Sequence, residues 1–215
     1  EKVSLGAYES SQKQRSLTSV VWPEKNVIKS LFMGEISLST FPLSSFTSLE
    51  AIDMRGSGYG AFNQNFSLSN SKLKSFISFK VKHTKSLVLE NNSQLTSVLY
   101  TGRRKDAGET TEVIIKGNPL LDKVSLTTDD VSAGITKIDL SNNAKLATLT
   151  IDNMSLFQSA GLRTVDLSGT ALSESTIEAV LTHLPKGDNS SYKIKLTNPT
   201  DKLKAAVAAK QWVLQ

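Results

Sequence analysis

Thr84-Lys-Ser-Leu87-Val-Leu89-Glu-Asn-Asn92 is followed by Thr110-Thr-Glu-Val113-Ile-Ile115-Lys-Gly-Asn118, Ile135-Thr-Lys-Ile138-Asp-Leu140-Ser-Asn-Asn143 and Leu162-Arg-Thr-Val165-Asp-Leu167-Ser-Gly-Thr170. Each copy has two aliphatic residues two positions apart, then a polar turn, then Asn, with Thr in that slot in the last. Ile194-Lys-Leu196-Thr-Asn198 is a looser copy, and Leu68 marks an earlier one. The second aliphatic falls at 89, 115, 140, 167 and 196, in steps of 26, 25, 27 and 29 residues. Self-similarity at that period is the signature of a solenoid, in which each repeat buries its apolar face only against its neighbours.

A second series lies between these copies: Leu95-Thr-Ser-Val98-Leu-Tyr100, Leu121-Asp-Lys-Val124-Ser-Leu126 and Leu146-Ala-Thr-Leu149-Thr-Ile151, preceded by Leu49-Glu-Ala-Ile52-Asp-Met54. In the three clean cases it follows the first series by 11 residues, as from Leu89 to Tyr100. Alternation of inward aliphatic and outward polar residues over four to six positions predicts a short strand, so each coil carries two. Asn92, Asn118 and Asn143 fall where the chain leaves a strand. There an amide side chain can bond the backbone of its own turn and of the next coil, which predicts a structural ladder in preference to ligand contact.

The quoted copies resemble the leucine-rich repeat family, whose signature is L-x-x-L-x-L-x-x-N, closely over residues 84–170 and more loosely over 17–200. Thr170-Ala-Leu through Leu184-Pro185, then Tyr192 to Pro199 and Ala205 to Val213, is similar to the closing module of leucine-rich repeat surface proteins of Bacteroides-type bacteria. That module ends in G-N-P-G and A-K-G-W-T-V, whereas this chain has Thr197-Asn-Pro-Thr200, and Gln211 in place of the glycine. The expected fold is an α/β repeat solenoid dominated by short parallel strands, leucine-rich repeat-like, with two strands per coil of about 25 residues. Residues 1–16 read as an N-terminal extension or linker, and 17–215 as the repeat domain with a cap at about 171–215.

Local signals in the cap agree. Ser175-Thr-Ile-Glu178 has the form of a capping box, and Ile177, Val180, Leu181 and Leu184 would line one helix face. Pro185 and Gly187 would stop this helix, which takes the place of a strand in its coil. A second helix over 201–210, with Leu203, Ala206 and Val207 inward, and a last strand Trp212-Val-Leu214 would close the solenoid end. Phe76-Ile-Ser-Phe79-Lys-Val81 allows two strand registers, and a one-residue slip would exchange its buried and exposed sides.

Composition narrows the chemistry. The chain is 39% apolar, with no run near the roughly 20 residues of a membrane-spanning helix, so it is not expected to insert in a membrane by itself. Cys is absent and the two His are far apart in sequence, which argues against thiol chemistry and a His-rich metal centre; no cofactor is expected. The net charge of +5 is spread among 20 acidic residues, without the basic stripe that nucleic acid requires. Gly56-Ser-Gly58-Tyr-Gly60 lacks the Lys-Ser/Thr pair of a phosphate loop, and Asp129-Asp130 lie side by side instead of across a cleft. An enzyme is not expected.

Function in a solenoid belongs to its extended surface. Val88 and Ile114 form a small outward apolar spot beside Glu90 and Lys116, while Tyr59, Tyr100 and the Arg103-Arg104-Lys105 loop are the remaining candidates for exposed contacts. Together these predict a monomeric, non-catalytic binding or adhesion module for a protein or glycan. The alternative is a structural spacer or a carbohydrate-related accessory domain. The resemblance implies a bacterial cell-surface or extracellular location, with room for a lipid anchor upstream of residue 1.

Overall fold

The computed structural model describes residues 2–5, 21, 27–33, 43–54, 66–79, 86–102, 112–128, 135–151, 156–159 and 161–215. Their strands divide between two parallel sheets. The first contains, in spatial order, β1 (Lys2–Leu5), β2 (Ser30–Met33), β3 (Ala51–Met54), β5 (Ser75–Phe79), β7 (Ser97–Gly102), β9 (Lys123–Thr128) and β11 (Thr148–Thr150). The second runs β4 (Phe66–Ser69), β6 (Ser86–Glu90), β8 (Glu112–Lys116), β10 (Lys137–Asp139), β12 (Thr164–Asp166), β13 (Lys193–Lys195) and β14 (Val213–Leu214). From β4 to β11 the chain alternates between sheets, one strand to each per coil, giving a parallel β-solenoid whose turns lie about 25 residues apart. This is the two-strand coil that the spacing of the repeats predicts. Among the described residues no helix is long and apolar enough to cross a membrane.

Register aligns the aliphatic positions into columns. In the second sheet Phe66, Leu87, Val113, Ile138, Val165, Ile194 and Leu214 pair in succession across all seven strands. In the first, Leu31, Ile52, Phe76, Val98, Val124 and Leu149 do the same. The columns face each other through the interior, and the Phe66 and Phe76 rings meet across it at 5.2 Å between centroids. Each such side chain contributes about 1.5–3 kcal/mol by leaving water. A single coil supplies one strand of each wall but leaves its core open above and below, so the stack is the unit of stability.

The turns leaving the second sheet are equally regular. Asn70, Asn91, Gly117, Asn142, Gly169 and Asn198 all have φ between 45° and 67°, the left-handed region that favours Gly and Asn. The residue after three of them is a ladder Asn, and Asn92, Asn118 and Asn143 are fully buried. Asn118 Nδ2 donates to the Leu89 carbonyl of the preceding coil (3.0 Å), and its Oδ1 accepts the Asn92 N–H (2.9 Å). Asn143 repeats this with the Ile115 carbonyl (2.6 Å) and the Asn118 N–H (2.9 Å). The expected ladder is therefore present. At Gly117 a methyl would meet only the Oδ1 tip of the exposed Asn91 side chain, so its requirement is dihedral, whereas at Gly169 it would lie 2.9 Å from Asn142 Oδ1 and 3.3 Å from the Asn142 backbone, which adds a space requirement.

In the C-terminal cap α1 (Glu174–His183) and α2 (Asp201–Ala209) alternate with β12, β13 and β14, each taking the place of a first-sheet strand. Val180, Leu181, Leu184, Leu203, Val207 and Trp212 are buried. The helix start differs from the expected capping box. Ser173, not Ser175, is the N-cap, and its Oγ accepts the Thr176 N–H (3.2 Å), while Glu178 pairs with Lys202 (2.6 Å) and so ties α1 to α2. Lys210 Nζ donates to the Thr182 and Leu184 carbonyls (2.8 and 3.0 Å), closing the other end of α1.

Two N-terminal points are decided by strand pairing. Residues 2–5, read as part of an extension, form β1 and pair with β2 in parallel. The ambiguous segment takes the register with Phe76 and Ser78 inward, both fully buried. Phe76 completes the first-sheet column between Ile52 and Val98, which the other register would break.

Candidate functional site

The outer face of the second sheet is built by the residues between the buried columns. Val88 of β6 lies directly beside Ile114 of β8, and in the same strands Glu90 lies beside Lys116. All four are partly exposed. Lys116 Nζ is 3.2 Å from Glu90 Oε1, and that carboxylate holds the ammonium above the ordinary lysine range, with Asp139 and Asp166 adding to the effect. The four residues that the sequence singles out on these strands are thus brought into one patch.

The row through Val88 and Ile114 continues through Asp139, Asp166 and Lys195. Two carboxylates directly opposite each other on neighbouring strands repel. Both are turned back onto their own chain. Asp139 Oδ1 accepts the Ser141 N–H and hydroxyl (3.1 and 2.7 Å), and Asp166 Oδ1 accepts those of Ser168 (2.9 and 2.6 Å). Their other oxygens face Lys137 at 3.8 Å and Lys195 at 3.9 Å. Strand alternation puts Asp139 on the outward side, next to the inward Ile138. It points outward but is only 7% exposed, because the Asp-x-Ser turn and the neighbouring lysine enclose it.

Tyr100 requires a correction. It was a candidate for exposed contact, yet its residue is 1% exposed and sits in the inward register of β7 with Val98. A strand reverses sides at every residue, so a position two after Val98 must share its side. Thr101, the next residue along, is also buried, its hydroxyl bonded to that of Thr127 (2.8 Å). Tyr59, Arg103, Arg104 and Lys105 lie outside the described residues.

The first sheet has its own outer face, and there Ile77 and Leu99 are register neighbours and partly exposed. Sequence reasoning missed this pair, because Ile77 belongs to the segment whose register it left open. At the entry to the same sheet Glu50 bridges Lys74 (2.6 Å) and Lys29 (3.3 Å), which holds its carboxyl below the usual carboxylate range. His183 Nδ1 is 2.8 Å from the Ala179 carbonyl, one turn back in its own helix. Among the described residues no three His, Cys, Asp or Glu converge as metal ligands. What the faces can do is present rows of side chains at the roughly 4.8 Å interval of a sheet, a geometry suited to surface recognition. No protein-family model matches the chain, and no curated protein matches it.

Proposed function

We propose that this chain is a non-catalytic binding module that recognises a protein or glycan through the outer face of its second sheet. The observation that carries this reading is the patch Val88, Ile114, Glu90 and Lys116, which puts an apolar pair and an ion pair side by side on two adjacent strands. An apolar centre with a polar rim is the anatomy of a recognition surface. A bacterial surface location and an adhesive role are part of the proposal, and they rest on the resemblance of the repeats and the C-terminal module to leucine-rich repeat surface proteins.

The test is a binding screen of the purified protein against arrays of extracellular-matrix proteins and polysaccharides. The variant Val88→Ser, Glu90→Ala, Ile114→Ser, Lys116→Ala is run alongside, with its fold checked by circular dichroism. A ligand bound by the parent and lost by the folded variant supports the reading. A ligand retained moves the site to the Arg103-Arg104-Lys105 loop or to the first sheet. The absence of any ligand favours the second reading, a structural spacer, for which the specific observation is that Lys116, Lys137 and Lys195 each face a carboxylate of their own sheet.

A further inference from the structure

We draw no further inference here: the strongest candidate, the half-buried apolar patch of Ile77 and Leu99 on the outer face of the first sheet, carries nothing because nothing in the structure shows what covers it.

Discussion

Asn118 serves two coils at once. Its Nδ2 donates to the carbonyls of Leu89 (3.0 Å) and Lys116 (3.1 Å), and its Oδ1 takes the Asn92 N–H (2.9 Å). Replacement by Ala removes the partner of the Asn92 N–H and the side-chain donor to the Leu89 carbonyl in a buried site, where each unmet donor or acceptor costs about 1–3 kcal/mol, while the Lys116 carbonyl keeps the Asn91 N–H (3.1 Å). Asn118→Ala is expected to lower unfolding free energy by about 3 kcal/mol, read from the midpoint of a urea titration. An unchanged midpoint would show that the ladder is not a source of stability. Gln211 makes the opposite case. Its φ of 59° places a side chain at the left-handed position after α2, where the Gln211 N–H bonds the Ala208 carbonyl (2.9 Å) and the Trp212 N–H the Val207 carbonyl (3.2 Å). This is the Schellman arrangement, which Gly fills without steric cost. Gln211→Gly is expected to raise stability by about 1 kcal/mol, a gain of a few degrees in melting temperature, while Gly117→Ala lowers it because a φ of 66° is strained for a residue with a Cβ.

At the scale of an element, α1 shows why a motif can be present and still not be used. Ser175-Thr-Ile-Glu178 has the capping-box form, but the helix begins two residues earlier, and Ser173 adopts the extended backbone of an N-cap (φ −68°, ψ 156°). The tertiary structure draws Glu178 into an ion pair with Lys202, and Thr200 Oγ1 donates to Glu174 Oε2 (2.8 Å), so the acidic residues of α1 serve the helix pair. Ser173→Ala should therefore cost about 1 kcal/mol, whereas Ser175→Ala should change the denaturation midpoint little. Equal losses in the two variants would contradict this assignment. The buried face of α1 was legible beforehand, since Val180, Leu181 and Leu184 follow helical spacing and all are buried.

For the whole molecule, the charge pairs set a pH window. Glu50 has its pKa lowered by hydrogen bonds from Lys74 and then Lys29, and Asp188 by the N–H groups of Ser191 and then Ser190. Such carboxylates favour the fold above the usual carboxylate range, and their contribution disappears as pH falls through the lowered values. Lys116 and Lys202 are raised by Glu90 and Glu178, so their contribution is full below the ordinary lysine range and is lost as pH rises through the raised values. A stability plateau between about pH 5 and pH 10 is expected, measured as urea midpoint against pH. All these groups are at least partly exposed, so both limbs should flatten in high salt. A slope that ignores salt would assign the pH dependence to other groups.

The sequence by itself determined the coil. Period, strand alternation and the Asn after each strand follow from local spacing, because buried columns need the same residue class at the same step in every repeat. It also brought Val88, Glu90, Ile114 and Lys116 to one face, since strand alternation alone settles which side each takes. Only the tertiary structure decided what depends on neighbouring coils. The register of Phe76 is set by the Ile52 and Val98 on either side of it, and Tyr100, on the inward side of β7 with Val98, is enclosed by Ser78 and Leu126 of the neighbouring strands. Residues 2–5 lack a repeat of their own, and it is pairing with β2 that makes them a strand. Asp139 takes the outward side by alternation, and its burial comes from a turn and a lysine that fold around it. Periodicity fixes which way a side chain points, and packing between coils fixes whether water reaches it.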